Sequence, residues 1–149
     1  MILKSVEGYP ILDLRIVGYQ FLAQIELEAV VEGFDWDANW LIVAGRVTAA
    51  FGEAWSFAEP CLTTVESSKL GEWLRLAAGG DSCPTLGFTE PCLTFSVESS
   101  EDLVTVCVHF GSEAVPAFQP VALLFRMTHS GLADAANEWI NEVSRFPER

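Results

Sequence analysis

From Ile11 the segment ILDLRIVGYQF sets Leu12, Leu14 and Ile16 on one face and Asp13, Arg15 and Val17 on the other, a period of two that predicts a strand with one buried side. The acidic stretch IELEAVVEGFDWDAN closes with Gly33, Asp35, Asp37 and Asn39, residues that favour turns. Trp40 to Phe51 reads as a second strand. Gly52-Glu53 is a turn candidate, after which Trp55 and Phe57 alternate with Ser56 and Ala58, so these two strands should form a hairpin. Beyond Thr63 and Thr64 the period changes: Leu70, Trp73, Leu74 and Ala77 fall at i, i+3, i+4 and i+7 before Gly79-Gly80, the signature of a helix and its stop. Leu93, Phe95 and Val97 alternate again up to the polar turn Ser99 to Asp102, and Leu103 to Phe110 answers as the hairpin partner. Gly111 to Gln119, with Pro116, reads as a loop. Val121, Leu123, Phe125 and Met127 share a face of a last strand. Thr128 or Ser130 then caps a helix carrying Leu132, Ala135, Ala136, Trp139, Ile140 and Val143, and Pro147 ends it.

The predicted order is βββαβββα, an α+β fold of about six mostly antiparallel strands with two helices, the C-terminal one packed on the sheet. Short connections and the lack of strand–helix alternation exclude a doubly wound parallel sheet. Pattern leaves two arrangements open: one curved sheet, or a sandwich-like core of two layers.

Half of the 149 residues are hydrophobic and 19 % are charged, which excludes a disordered chain. A single domain over residues 1–149 is expected, burying about 70 % of the surface its unfolded chain exposes. No apolar run approaches the ~20 residues that span a bilayer, and the first residues lack the regions of a secretion signal. A cytoplasmic location follows, and with it reduced thiols at Cys61, Cys83, Cys92 and Cys107.

Few residues propose chemistry. No Cys-x-x-Cys is present, and the one close pair of soft ligands is Cys107 with His109, so no metal or other cofactor is expected. Asp35, Asp37 and Asn39 match the start of a calcium loop, but Trp40 stands where glycine is needed and Arg46 where a bidentate Glu belongs. The pentapeptide Glu-Pro-Cys-Leu-Thr occurs twice, at 59–63 and 90–94. Proline cannot donate to a sheet ladder, so each copy should mark an edge or a bulge where a strand bends, its Glu facing water. If the copies lay side by side, Glu59 and Glu90 could instead serve as the acid and base of a hydrolase.

Several segments together resemble a known family. IVGYQF, DWDANWLIV, CLTTVESSKLGEWL, FTEPCLTF and a closing helix ending in RFP occur in the order found in the WapI-type immunity proteins of bacteria, over Leu12 to Pro147. The most specific are Asp-x-Asn-Trp-Leu and Phe-x-Glu-Pro-x-Leu-x-Phe. The resemblance implies a small non-enzymatic cytoplasmic protein, encoded beside a polymorphic toxin, that binds and neutralises the toxin's effector domain. In the eponymous case that effector is an RNase.

Charge agrees with that expectation. Eight Lys and Arg face 21 Asp and Glu, a formal net charge of −13, which repels nucleic-acid phosphates and attracts a basic protein. No base lies between Arg15 and Arg46, and the acids there surround an aromatic, so Glu26, Glu28, Glu32, Asp35, Trp36 and Asp37 are the candidate contact surface. Glu98, Glu101 and Asp102 form the reserve surface. Two other function classes stay open: a small-molecule or regulatory binding module, and the hydrolase built on Glu59 and Glu90.

Overall fold

The computed structural model describes residues 1–21, 37–115 and 121–149. Strands β1 (Ile2–Lys4), β2 (Ile11–Tyr19), β3 (Trp40–Thr48) and β4 (Ala54–Thr63) lead into helix α1 (Thr64–Ala78). Then follow β5 (Leu86–Gly87), β6 (Leu93–Ser99), β7 (Val104–Phe110), β8 (Val121–Met127) and helix α2 (His129–Val143). The six predicted strands and both helices are present, with β1 and β5 in addition. At three and two residues, these are too short to display a period in the sequence. The strand expected to reach Phe51 stops at Thr48, where a 3-10 turn, Ala50–Gly52, begins the reversal.

Two four-stranded sheets form, in the orders β1-β2-β3-β4 and β5-β6-β7-β8, with every pair antiparallel. One continuous curved sheet is therefore not the arrangement. The sheets meet along one side, where the Val6 N–H donates to the Arg126 carbonyl (2.8 Å) and the Arg126 N–H donates to the Ser5 hydroxyl (2.9 Å). On the other side Trp55 and Phe57 of β4 set their rings edge-on to Phe110 of β7, at 5.7 and 6.2 Å between centroids. The inward positions are those the alternation picks out: Leu12, Leu14, Ile16, Leu41, Val43, Phe95, Val106, Val108 and Phe125 are all buried.

Both helices begin where their caps dictate. Thr63 accepts the Glu66 N–H and receives the Glu66 side chain in return, a complete capping box, and the Thr128 hydroxyl accepts the Gly131 N–H. The helices pack on each other. Trp139, fully buried, donates its indole N–H to the Ser67 carbonyl (2.8 Å), and Gly71 is required because a Cβ there would lie 2.8 Å from Ile140 Cγ1. α2 is tied to the first sheet through Glu138, which accepts the Ile2 N–H (3.2 Å), and Glu142, which accepts the Ile16 N–H (2.7 Å). The Ile16 amide is available because it points to the β1 side of β2, where pairing with β1 reaches only Asp13 and the last bond is from the Leu14 N–H to the Met1 carbonyl (2.9 Å).

Candidate functional site

The repeated pentapeptide resolves into one junction. In the first copy Leu62 faces Leu41 while Pro60 faces Ile42, so Cys61 is the extra residue of a bulge, on the strand that edges its sheet. Edge and bulge are both where a proline is tolerated. In the second copy Pro91 lies in the turn before β6, whose first paired residue is Leu93, so it introduces a strand rather than bending one. Glu90 faces water, whereas Glu59 is half-buried opposite Val43.

The copies run past each other in opposite directions. At one end Glu66, just beyond the first copy, accepts the Thr89 N–H (2.7 Å) and hydroxyl (2.8 Å), just before the second. At the other end Phe57 packs on Phe110, which is paired with Leu93. Between these contacts lie Cys61 and Cys92, both buried. The neighbouring Cys92 side chain, and then burial, push the Cys61 thiol up. The backbone is close here too. The Gly111 N–H donates to the Cys92 carbonyl (2.8 Å), and a Cβ on Gly111 would stand 2.2 Å from the Pro91 carbonyl oxygen.

The acidic candidates divide by position. Glu26, Glu28, Glu32, Asp35 and Trp36 lie outside the described residues, and Asp37 enters only as the first backbone residue of the 3-10 turn Asp37–Asn39. What holds the end of that segment is clear. Asn39, 1 % exposed, donates to the Arg149 carbonyl (3.0 Å) and accepts the Arg149 N–H (2.8 Å) and the Thr64 hydroxyl (3.2 Å). The Arg149 guanidinium lies 3.4 Å over the Tyr19 ring, and Tyr19 also packs edge-on to Phe146. The asparagine of the Asp-x-Asn-Trp-Leu segment is thus an anchor joining β3, α1 and the last residues, a role its sequence context does not announce.

Glu98, Glu101 and Asp102 are all exposed around the β6–β7 turn. Ser100 stiffens that turn through its N–H and hydroxyl on the Leu103 carbonyl (2.8 and 3.0 Å). The ring of His129 bridges it to the end of α1, with Nδ1 2.9 Å from the Ala78 carbonyl and Nε2 3.2 Å from that of Ser100. The reserve acids therefore sit on a rigid support.

Basic residues gather elsewhere. Lys4, Arg15 and Arg46 share the outward face of the first sheet, where Asp13 takes both bonds of the Arg15 fork (3.0 and 2.9 Å). A depression of about 400 Å³ there is lined by Asp13, Arg15, Arg46 and Ser56 among others. Two more, of about 460 and 520 Å³, lie beside α2 and between α1 and the segment after α2. Neither Glu59 nor Glu90 lines any of the three. Among the described residues no group of three or more His, Cys, Asp or Glu is placed to hold a metal ion, and no helix is long and apolar enough to cross a membrane. Cys107 and His109 share the outward face of β7, opposite Leu124 and Ala122.

Compared with known proteins, the chain matches one family, described as the immunity protein WapI-like family, over residues 1–147. No curated protein and no solved structure matches it.

Proposed function

The chain belongs to the WapI-like immunity protein family, and we propose on that basis that it binds the effector domain of a cognate bacterial toxin and neutralises it through an acidic surface. The observation that carries the reading is the family match, which spans residues 1–147. The net charge of −13 supports the electrostatic part. A nuclease domain that grips phosphates exposes Lys and Arg, and an acidic protein occupies that groove as a phosphate mimic, gaining on-rate and specificity from the opposed potentials. The role is non-enzymatic and cytoplasmic, needs no cofactor, and involves neither nucleic acid nor membrane directly.

Glu26, Glu28, Glu32, Asp35, Trp36 and Asp37 form the proposed contact surface, with Trp36 as its aromatic anchor. The buried tether at Asn39 supports this choice, because a contact segment that leads into a fixed point loses less freedom on binding. Glu98, Glu101 and Asp102, exposed on their braced turn, form the second surface.

Co-expression with the toxin domain encoded next to it tests the reading. Cells should survive only when this protein is present, and the two should co-elute. The triple change Glu26→Lys, Glu28→Lys and Glu32→Lys should weaken binding roughly 10- to 100-fold, mostly in association rate and most at low salt. Death with or without the protein, and no complex, would overturn the immunity reading. A tight complex indifferent to salt and to reversal at both acidic segments would leave immunity standing and overturn the acidic surface.

A further inference from the structure

We infer that the outward face of the first sheet is a binding site for the phosphate group of a phosphorylated small molecule, held by Arg15, Arg46 and Ser56. Register brings these side chains together. Arg46 on β3 stands directly opposite Asp13 on β2 and Ser56 on β4, and Arg15, two positions beyond Asp13, stands opposite Ala44. The two arginines are thus diagonal neighbours on one face, roughly 7–8 Å apart at the backbone, and both are exposed. The residues beside them are small. Ala44 faces Arg15 on one side and Ala58 on the other, which leaves a depression of about 400 Å³ lined by both arginines with Asp13, Ala44 and Ser56.

Charge makes the depression selective for an anion. Asp13 occupies Nε and Nη2 of Arg15 (3.0 and 2.9 Å) and leaves Nη1 to donate outward. Among the described residues Arg46 and Lys4 have no hydrogen-bond or ion-pair partner, although the chain carries 21 acids. Lys4 shares this face one strand further on, opposite Ile11. Three cations against one carboxylate leave an excess of two positive charges, which matches the dianion of a phosphate monoester above its second pKa of about 6. Two acids of α2, Glu138 and Glu142, adjoin Arg15 from the neighbouring depression and already accept the Ile2 and Ile16 N–H groups. The charge of −13 on the whole chain opposes any anion, but physiological salt screens exposed charges beyond about 8 Å, so the local excess decides. Both guanidinium groups suit paired phosphate oxygens, and the Ser56 hydroxyl supplies a further donor. A phosphate alone fills only part of 400 Å³, a volume within the range of small-ligand sites, so the remainder accommodates the body that carries it.

The test titrates the isotope-labelled wild-type chain with inorganic phosphate, phenyl phosphate and acetate at constant ionic strength and about pH 7.5, followed by NMR. Both phosphates should give saturable shifts of the Arg15 and Arg46 Cζ signals and of the Ala44, Gly45, Arg46 and Ser56 amides, with dissociation constants on the order of 1 mM and the ester the tighter. Acetate should bind about 10-fold more weakly. Arg46→Gln should lose about 10-fold in phosphate affinity with the rest of the spectrum unmoved, and Arg75→Gln, on the exposed side of α1, should lose none. Shifts that follow ionic strength alone, acetate as tight as phosphate, or phosphate affinity unchanged in Arg46→Gln would each overturn the site. Inorganic phosphate binding as tightly as the ester would overturn the small-molecule part and assign the free ion in its place. No toxin domain enters the experiment, so its failure leaves the immunity reading untouched.

Discussion

Replacing Glu66 by Gln asks whether a single carboxylate holds the junction of the two repeat copies. One oxygen accepts the Thr63 N–H (2.9 Å) and hydroxyl (3.1 Å); the other accepts the Thr89 N–H (2.7 Å) and hydroxyl (2.8 Å). A carboxylate only accepts, so it satisfies all four donors, whereas an amide keeps one oxygen and turns an NH₂ towards two of them. Hydrogen bonds to charged groups contribute about 1.5–3 kcal/mol each, and the half-exposed setting of Glu66 places these at or below the low end. Glu66→Gln should therefore destabilise by roughly 2 kcal/mol, and Glu66→Ala, which also removes half the capping box, by roughly 3 kcal/mol. The pH dependence follows from the same contacts. Burial alone would push this carboxyl up, but the backbone and then the hydroxyl bonds from Thr63 and Thr89 outweigh it and hold Glu66 below the usual range. A lowered folded value means the contribution is complete above the unfolded value of about 4.3 and disappears as pH falls through the folded one. Urea unfolding followed by tryptophan fluorescence should show the full gap between wild type and Glu66→Gln near neutral pH, narrowing below about pH 4.5. A gap under about 0.5 kcal/mol at neutral pH, or one that stays constant into acid, would refute the reasoning.

Two further substitutions probe the surrounding frame. Ser67 is fully buried and its hydroxyl has no hydrogen-bond partner among the described residues, so Ser67→Ala should stabilise by about 1 kcal/mol, a rise of roughly 3 °C in melting temperature; a fall of that size would refute it. Asn39→Ala should cost roughly 2–3 kcal/mol and deprotect the Arg149 amide in hydrogen exchange, and an unchanged melting temperature would contradict its role as anchor.

Much of the fold was legible because it is periodic. Alternation along β2, β3, β6, β7 and β8 marks their buried faces, and Thr63 and Thr128 stand as helix caps where the period changes. The prolines likewise forbid a paired central position, and neither occupies one. The site was less legible. Asn39 reads as a turn residue in the sequence, and nothing near it in the chain reveals that its partners lie at Thr64 and Arg149. Glu66 completes the capping box with Thr63, but its second oxygen serves Thr89, and that half depends on a neighbour 23 positions away.

The sequence by itself determined the α+β class, the order of the long elements, the acidic character and the kinship with immunity proteins, because local periodicity, formal charge and ordered motifs are properties of the chain alone. Tertiary structure decided that two sheets form instead of one, that β1 and β5 exist, and that the two Glu-Pro-Cys-Leu-Thr copies meet, held by Glu66 on Thr89 at one end and Phe57 on Phe110 at the other. Those outcomes depend on which buried faces find each other across long loops. That choice is made by the fit of Phe57, Phe110 and Gly111 and by the four donors around Glu66, contacts between residues far apart that no pattern of neighbours along the chain records.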